Sequence, residues 1–496
     1  MTEGNYWKSF QKNHLIVAGI LTILLVACFF NNLSILLKYD FPLGVDGYYY
    51  IIQIENLLKK GQFYYPTKTP VVLYLAVGLS SLGIESTTAM KIISSLLYVI
   101  LILAIYLILS RSTDNKWNGI IGAGIVAISV LRLVWIVEFV NNLGGVAFLF
   151  CGIYCLGEKS KRKIWFVVGG VFLILAFFSH KSILPLAILI LFAYGVFYLL
   201  SKSIGSKFFP YLLIFLVITG FFYPLLFTVI LSNSFLLFLS EIAAVNPKFP
   251  LLVRGFFEEK FILCILAPLS LFVSLWKSKD RKQIALFNGT ISILSVFITL
   301  NPFLNYTEHI MTVPDRLSLL MPIQIAFLLA FTIHLLNFDK ISKSVITTSI
   351  LFFLALGNTN QTKGSDERFL LQRQNLIENL QRFKETIPKQ SVIVAPHGYQ
   401  FIITSILDIP SQRILPKEEN RVYWLLFGVP CNKLEKLATI VSIEGKVCTA
   451  ILEAGDVKSI SNQDKEMILK FNPHFRQIDY ELQEKIIPSK NALDSE

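Results

Sequence analysis

Asp46 opens the stretch DGYYYIIQIENLLKKGQFYYPTKTP, and Lys68 stands two residues before its closing Pro70. A carboxylate held in place can take the proton of a nucleophile as a bond forms. Lys and Arg supply fixed positive charge for an anionic group, Arg in two-pronged fashion and Lys as a point charge. Such cations stand at Lys68, Lys181 and Arg316. Polar neighbours accompany them. His180 precedes Lys181, Asp315 precedes Arg316, and Glu138, Asn141 and Asn142 interrupt an apolar stretch. Each has a plainer reading. Asp46 is a good helix N-cap. Cations beside apolar runs snorkel to a surface. Asn141 and Asn142 suit a turn, and a lone His is more often hydrogen-bonded structure than catalyst. Arg132, one and a half turns before Glu138, suits neutralising an acid inside a bundle. No Cys/His group has metal-ligand spacing. No D-x-D lies near Asp46, so a divalent metal stays open without a clear ligand set.

The elements that carry these residues are set by composition. Of 496 residues, 54% are hydrophobic and 16% charged, with mean hydropathy +0.61. Soluble domains carry about a quarter charged residues. Apolar runs long enough to cross a hydrocarbon core recur through the first 357 positions. The expected class is an all-α polytopic membrane bundle. The net charge of +12 falls largely in short loops between spans, where it sets topology, so nucleic acid is excluded as a partner. Cys28, Cys151, Cys155 and Cys264 sit in apolar segments as small core residues; Cys431 and Cys448 lie in the polar tail, their pairing open.

Eleven candidate spans read as 14–37, 87–110, 117–137, 141–157, 164–180, 182–201, 208–231, 261–276, 284–300, 317–337 and 344–357. The first is too long for a signal-peptide core and lacks a cleavage site, so it reads as an anchor. The apolar segment 71–84 is too short to cross upright. Its fate decides the topology. Five short connections (111–116, 158–163, 202–207, 277–282 and 338–343) hold fourteen Lys or Arg against four Asp or Glu. If 71–84 does not cross, all five are cytoplasmic, as the positive-inside rule requires. Residues 38–86 then form an external loop of a transmembrane domain, 1–357, whose N-terminus is cytoplasmic. The segments 232–260 and 301–316 are external too, the former a solvated connector or a substrate lid carrying Glu258 and Glu259. His309 and Asp315 flank the latter.

Within the first external loop, Asp46 and Gly61 bracket a helix. Tyr50, Ile51, Ile54, Leu57 and Leu58 fall mostly on one side, and Gln53, Asn56 and Lys60 on another. That pattern predicts a helix lying at the membrane interface with tyrosines at headgroup depth. The tail, 358–496, predicts a small extracytoplasmic α/β domain: strands at 391–396 and 422–429, helices at 366–385 and 462–471. His397-Gly398 reads as a strand-ending turn.

The order of motifs resembles the first external loop of the GT-C glycosyltransferases. It has an acid after the first span, a Tyr-rich amphipathic helix, G-x-F, a Lys beside a Pro and a short non-crossing apolar helix. Aminoarabinose transferases and protein O-mannosyltransferases are the most similar branches. VEFVNNLGGVAFLF (137–150), FFSHKSILPLAI (177–188) and DRLSLLMPIQIAFLLA (315–330) are similar to later family segments, so the resemblance covers about residues 14–357. It implies transfer of a sugar from a polyprenyl phosphate carrier to a lipid, glycan or protein acceptor at the outer face of the cytoplasmic membrane. It implies a catalytic role for Asp46 and phosphate contact for Lys68, Lys181 and Arg316. Glu138, Asn141, His180 and Asp315 would serve the acceptor or support the site. Two departures stand out: Gly47 follows Asp46 where a second acid is common, and Lys68 is displaced by one residue from its Pro.

Two rival readings remain. A transporter or flippase of lipid-linked glycans would show related halves and Gly/Pro-broken helices, and no such repeat is visible. An inactive GT-C-like scaffold that binds a partner through its tail would fit the missing second acid.

Overall fold

The computed structural model describes residues 3–44, 46–65, 67, 71–129, 131–157, 163–180, 183–203, 250–277, 281–299, 319–337 and 376–382. Beyond these it describes chiefly the strands and one helix of the tail up to residue 453. The chain divides into two compact units. One is Met1–Phe41 with Tyr65–Thr362; the other is Pro42–Tyr64 with Lys363–Glu496.

In the first unit, α1 (Glu3–Leu37) and α4 (Ser86–Ser112) carry apolar stretches long enough to cross a membrane. The helix α3 (Val71–Ser81) has 11 residues, roughly 16 Å of helix and about half a hydrocarbon core. Next come α5 (Lys116–Ile128), α6 (Leu131–Val137), α7 (Val140–Leu156), α8 (Lys163–Ser179) and α9 (Ile183–Ser203). The series ends with α10 (Pro250–Lys277), α11 (Lys282–Leu294) and α12 (Met321–Leu335). Candidate spans 208–231 and 344–357 lie outside the described residues.

α4 is the hub, with α1, α3, α5 and α7 packed on it. α7 runs along α8, and α10, α11 and α12 form a second group joined to α5 and α9. Within lipid the hydrophobic effect does not drive this association; close packing and interhelical hydrogen bonds do. Thr332 Oγ1 donates to Ser270 Oγ at 2.8 Å, and Asn288 Nδ2 donates to both the Ser270 carbonyl and Thr332 Oγ1 at 3.3 Å. A π-helical turn, Ser295–Thr299, follows α11, and Gln324 of α12 bonds Ser295 and Thr299 on it. Leu15, Ile23 and Phe30 of α1, Phe166 of α8 and Leu191 of α9 are exposed, as suits side chains that face lipid.

α5 and α6 meet at a 69° bend. Backbone groups freed at such a break need partners inside the bundle. The Val126 carbonyl accepts from Tyr98 OH at 2.6 Å, and the Ala127 carbonyl accepts from Arg132 Nη1 at 3.2 Å. Ser129 Oγ accepts from the Leu131 amide at 3.1 Å. At its other end α5 is capped by Asn115, whose side chain accepts from the Trp117 amide at 2.9 Å.

The second unit holds α2 (Gly47–Lys60), helical residues 376–382, α13 (Tyr399–Leu407) and a five-stranded sheet. Its strands are β1 (Val392–Val394), β2 (Ser411–Gln412), β3 (Val422–Pro430), β4 (Thr439–Glu444) and β5 (Val447–Glu453), in the order β2-β1-β3-β5-β4. β1 is parallel to both neighbours; β3, β5 and β4 pair antiparallel. The Val392 and Val422 strands fall where the sequence predicts them. Helix 462–471 lies outside the described residues.

Two expectations need correction. On α2, Gln53, expected on the polar side, is 0% exposed, and Leu58, expected on the apolar side, is exposed, while Tyr50, Ile51 and Ile54 are buried as expected. The helix packs against α13, a partner that local periodicity cannot reveal. Residues 250–260 are not loop either. They form the first turns of α10, and Glu259 is buried.

Candidate functional site

Asp46 holds the N-cap position of α2. Its carbonyl accepts from the Tyr50 amide at 3.2 Å, but its carboxylate makes no capping bond. Capping therefore does not account for the acid. The turn before it is tight. Gly44 has φ +83°, and the Gly47 amide donates to the Gly44 carbonyl at 3.4 Å. A Cβ at Gly47 would lie 3.1 Å from the Pro42 carbonyl carbon. A side chain at position 47 would crowd the Pro42 backbone, so glycine suits the position. At the far end of α2, Gly61 stops the helix at φ +71°, its amide donating to Leu57. Burial, and then the Asp408 carboxylate, push the Tyr64 phenol up from its ordinary value.

In the first unit, the corner between α6 and α7 carries Glu138, half-buried, with Asn141 and Asn142 in the first turn of α7. Neither Asn caps; the cap position is Phe139. Their side-chain oxygens are shielded from solvent and have no hydrogen-bond partner among the described residues. Three separate chain segments are seated on this corner. A Cβ at Gly144 would lie 2.5 Å from Val72 Cγ2 of α3 and 3.7 Å from Ser179 Cβ of α8. One at Gly145 would lie 2.9 Å from Ile183 Cγ1 of α9. Trp135 Nε1 donates to the Leu319 carbonyl at 2.9 Å. Val72 follows Lys68 by four residues, Ser179 and Ile183 bracket Lys181, and Leu319 follows Arg316 by three. His180 is half-buried between α8 and α9, its amide bonded to Ala176. Lys68, Lys181, Arg316 and Asp315 themselves lie outside the described residues, as do His309 and His397.

Next to the corner lies a buried polar cluster. Ser129 Oγ donates to Glu259 Oε1. Arg132, 2% exposed, hydrogen-bonds Cys28, which also receives Asn32 Nδ2. Tyr98 lies within electrostatic reach of Cys28, Arg132 and Glu259. Glu259 is thus a buried acid in the same cluster as Arg132. Sequence missed it because two charged neighbours, Glu258 and Lys260, made 250–260 look like loop. A second missed group is Lys91. It is buried within α4, donates to the Tyr39 carbonyl past the end of α1, and feels Glu85 and Asp40. Among the described residues no three His, Cys, Asp or Glu side chains group to hold a metal.

The solved structure of ArnT from Cupriavidus metallidurans in the apo state matches 89% of this chain and 98% of its own, with TM-score 0.50 and 12% identity. The two chains share a fold. The family model for dolichyl-phosphate-mannose-protein mannosyltransferase matches residues 67–227, which run from the Lys68 segment through the α6–α7 corner to past Lys181. Together these support the resemblance to GT-C glycosyltransferases and a membrane protein of that kind. Two oligosaccharyltransferase structures from Archaeoglobus fulgidus also match. One, in complex with Zn and sulfate, has 14% identity and TM-score 0.47; AglB with an inhibitory peptide and a dolichol-phosphate has 13% and 0.48. Each is matched over 80% of this chain, which spans 61% and 64% of their respective lengths. No curated protein sequence matches the chain.

Proposed function

We propose that the protein is an integral membrane glycosyltransferase that moves a sugar from a polyprenyl-phosphate carrier to an acceptor at the outer face of the cytoplasmic membrane. The observation that supports this reading is that chain neighbours of Lys68, Lys181 and Arg316 (Val72, Ser179 and Ile183, Leu319) meet Gly144, Gly145 and Trp135 of α6 and α7. A carrier phosphate gains charge as its bond to the sugar breaks, and fixed cations stabilise it. Lys68, Lys181 and Arg316 take that role. Asp46 accepts the proton of the attacking acceptor, as a carboxylate fixed at a helix start can. Glu138 and Asn141 support the acceptor side with His180 and Asp315. Five basic connections support a cytoplasmic N-terminus and an external tail.

Purified protein in nanodiscs, given a polyprenyl-phosphate sugar labelled in the sugar together with a membrane lipid and protein extract, tests the reading. Label should pass to an extract component and free polyprenyl phosphate should appear. A nucleotide sugar should not substitute. Label moved equally well from the nucleotide sugar, or carrier-linked sugar that crosses the bilayer without cleavage, would overturn it.

A further inference from the structure

We propose that Phe401 is a positioning residue for Asp46, acting through Tyr49 on the first turn of α2. The inference rests on the reading of Asp46 as the proton acceptor. Where Asp46 stands follows the backbone frame from Pro42 to Gly47 and the first helical turn, since it holds the N-cap position of α2. Gly44 and Gly47 shape that frame from within. From outside, the turn is held by its side chains. The Tyr49 ring lies 5.2 Å from the Phe401 ring, tilted at 58°, and the Tyr49 hydroxyl accepts from Gln53 Nε2 at 3.1 Å. Tyr49 also meets Tyr50 edge-on at 5.6 Å.

Phe401 is a firm post for this contact. It is 6% exposed on α13, beside Ile402 and Ile403 at 0%. The same short helix reaches the other end of the loop segment, where Asp408, just past α13, acts on Tyr64. α13 therefore packs on the Asp46 segment near its beginning, and the residue just past α13 acts electrostatically at its end. A first turn packed against a buried ring keeps its acid in one place, whereas a segment held only by its chain ends would not. Misplacing a catalytic group by about 1 Å can cost 10²-fold in rate, so an aromatic contact three residues from Asp46 is close enough to matter. The tail thus has a catalytic purpose without supplying a reacting group.

The test uses the full-length protein in nanodiscs with a labelled polyprenyl-phosphate sugar donor. It compares wild type, Phe401→Ala, Phe401→Tyr and Asp46→Asn for donor affinity, kcat and KM. Phe401→Ala should lower kcat by about tenfold to a hundredfold, with donor affinity and donor KM within about twofold of wild type. Phe401→Tyr restores the ring and should recover most of the rate. Amide exchange over residues 47–54 should rise in Phe401→Ala and not in Asp46→Asn. If Phe401→Ala misfolds, Phe401→Leu replaces it and should show the same kcat loss. Wild-type kcat in Phe401→Ala, with Asp46→Asn inactive, sinks the positioning role and leaves the Asp46 reading intact. An active Asp46→Asn sinks both.

Discussion

Gly144 on α7 is the seat of Val72: a Cβ added at 144 would lie 2.5 Å from Val72 Cγ2. This approach joins α3, the helix that follows Lys68, to the corner carrying Glu138. Gly144→Ala should therefore destabilise the protein by about 1–3 kcal/mol through overpacking. Gly170→Ala on α8, where nothing lies within 4 Å of the added atom, should change stability by no more than about 1 kcal/mol and in the favourable direction, because Ala loses less backbone entropy than Gly in a helix. Thermal unfolding in detergent reads both. Equal losses at the two positions would mean that the α3–α7 contact is not close.

The Ser129–Glu259 bond ties the break between α5 and α6 to α10. Ser129→Ala removes a donor to a buried carboxylate and should cost about 1–3 kcal/mol. Glu259→Gln keeps an acceptor for Ser129 and removes the buried charge, so it should be milder than Glu259→Ala. If all three unfold at the wild-type temperature, the cluster contributes nothing to holding the bend.

These contacts mark where reading by sequence succeeds and stops. The helices of the first unit follow from apolar run length, and Gly61 and Asn115 end or begin their helices by local chemistry. A charged stretch at a span boundary reads as loop, while Ser129, which bonds Glu259, lies far away in the chain. Gln53 was put on a solvent side because the partner of α2, α13, comes from the tail. Asp46 was readable as an acid at a helix start, but whether it caps depends on side-chain direction, which spacing cannot give.

The proposed topology puts the α2 loop and the tail on the same, non-cytoplasmic side. Single cysteines at Gln62 and Gln381, both exposed, placed in a background without native cysteines, should label in intact cells with an impermeant thiol reagent. One at Lys163, next to a basic connection, should label only after the membrane is opened. Labelling of Lys163→Cys but not Gln62→Cys in intact cells would invert the arrangement.

The central claim is tested most directly by the Asp46→Asn variant. Asn keeps the shape of the side chain and cannot accept a proton. Donor cleavage should be measured as free polyprenyl phosphate released per enzyme, beside equilibrium binding of the labelled donor. Binding should stay near wild type while turnover falls by about 10²–10⁴-fold. Wild-type turnover by the purified variant would contradict the account.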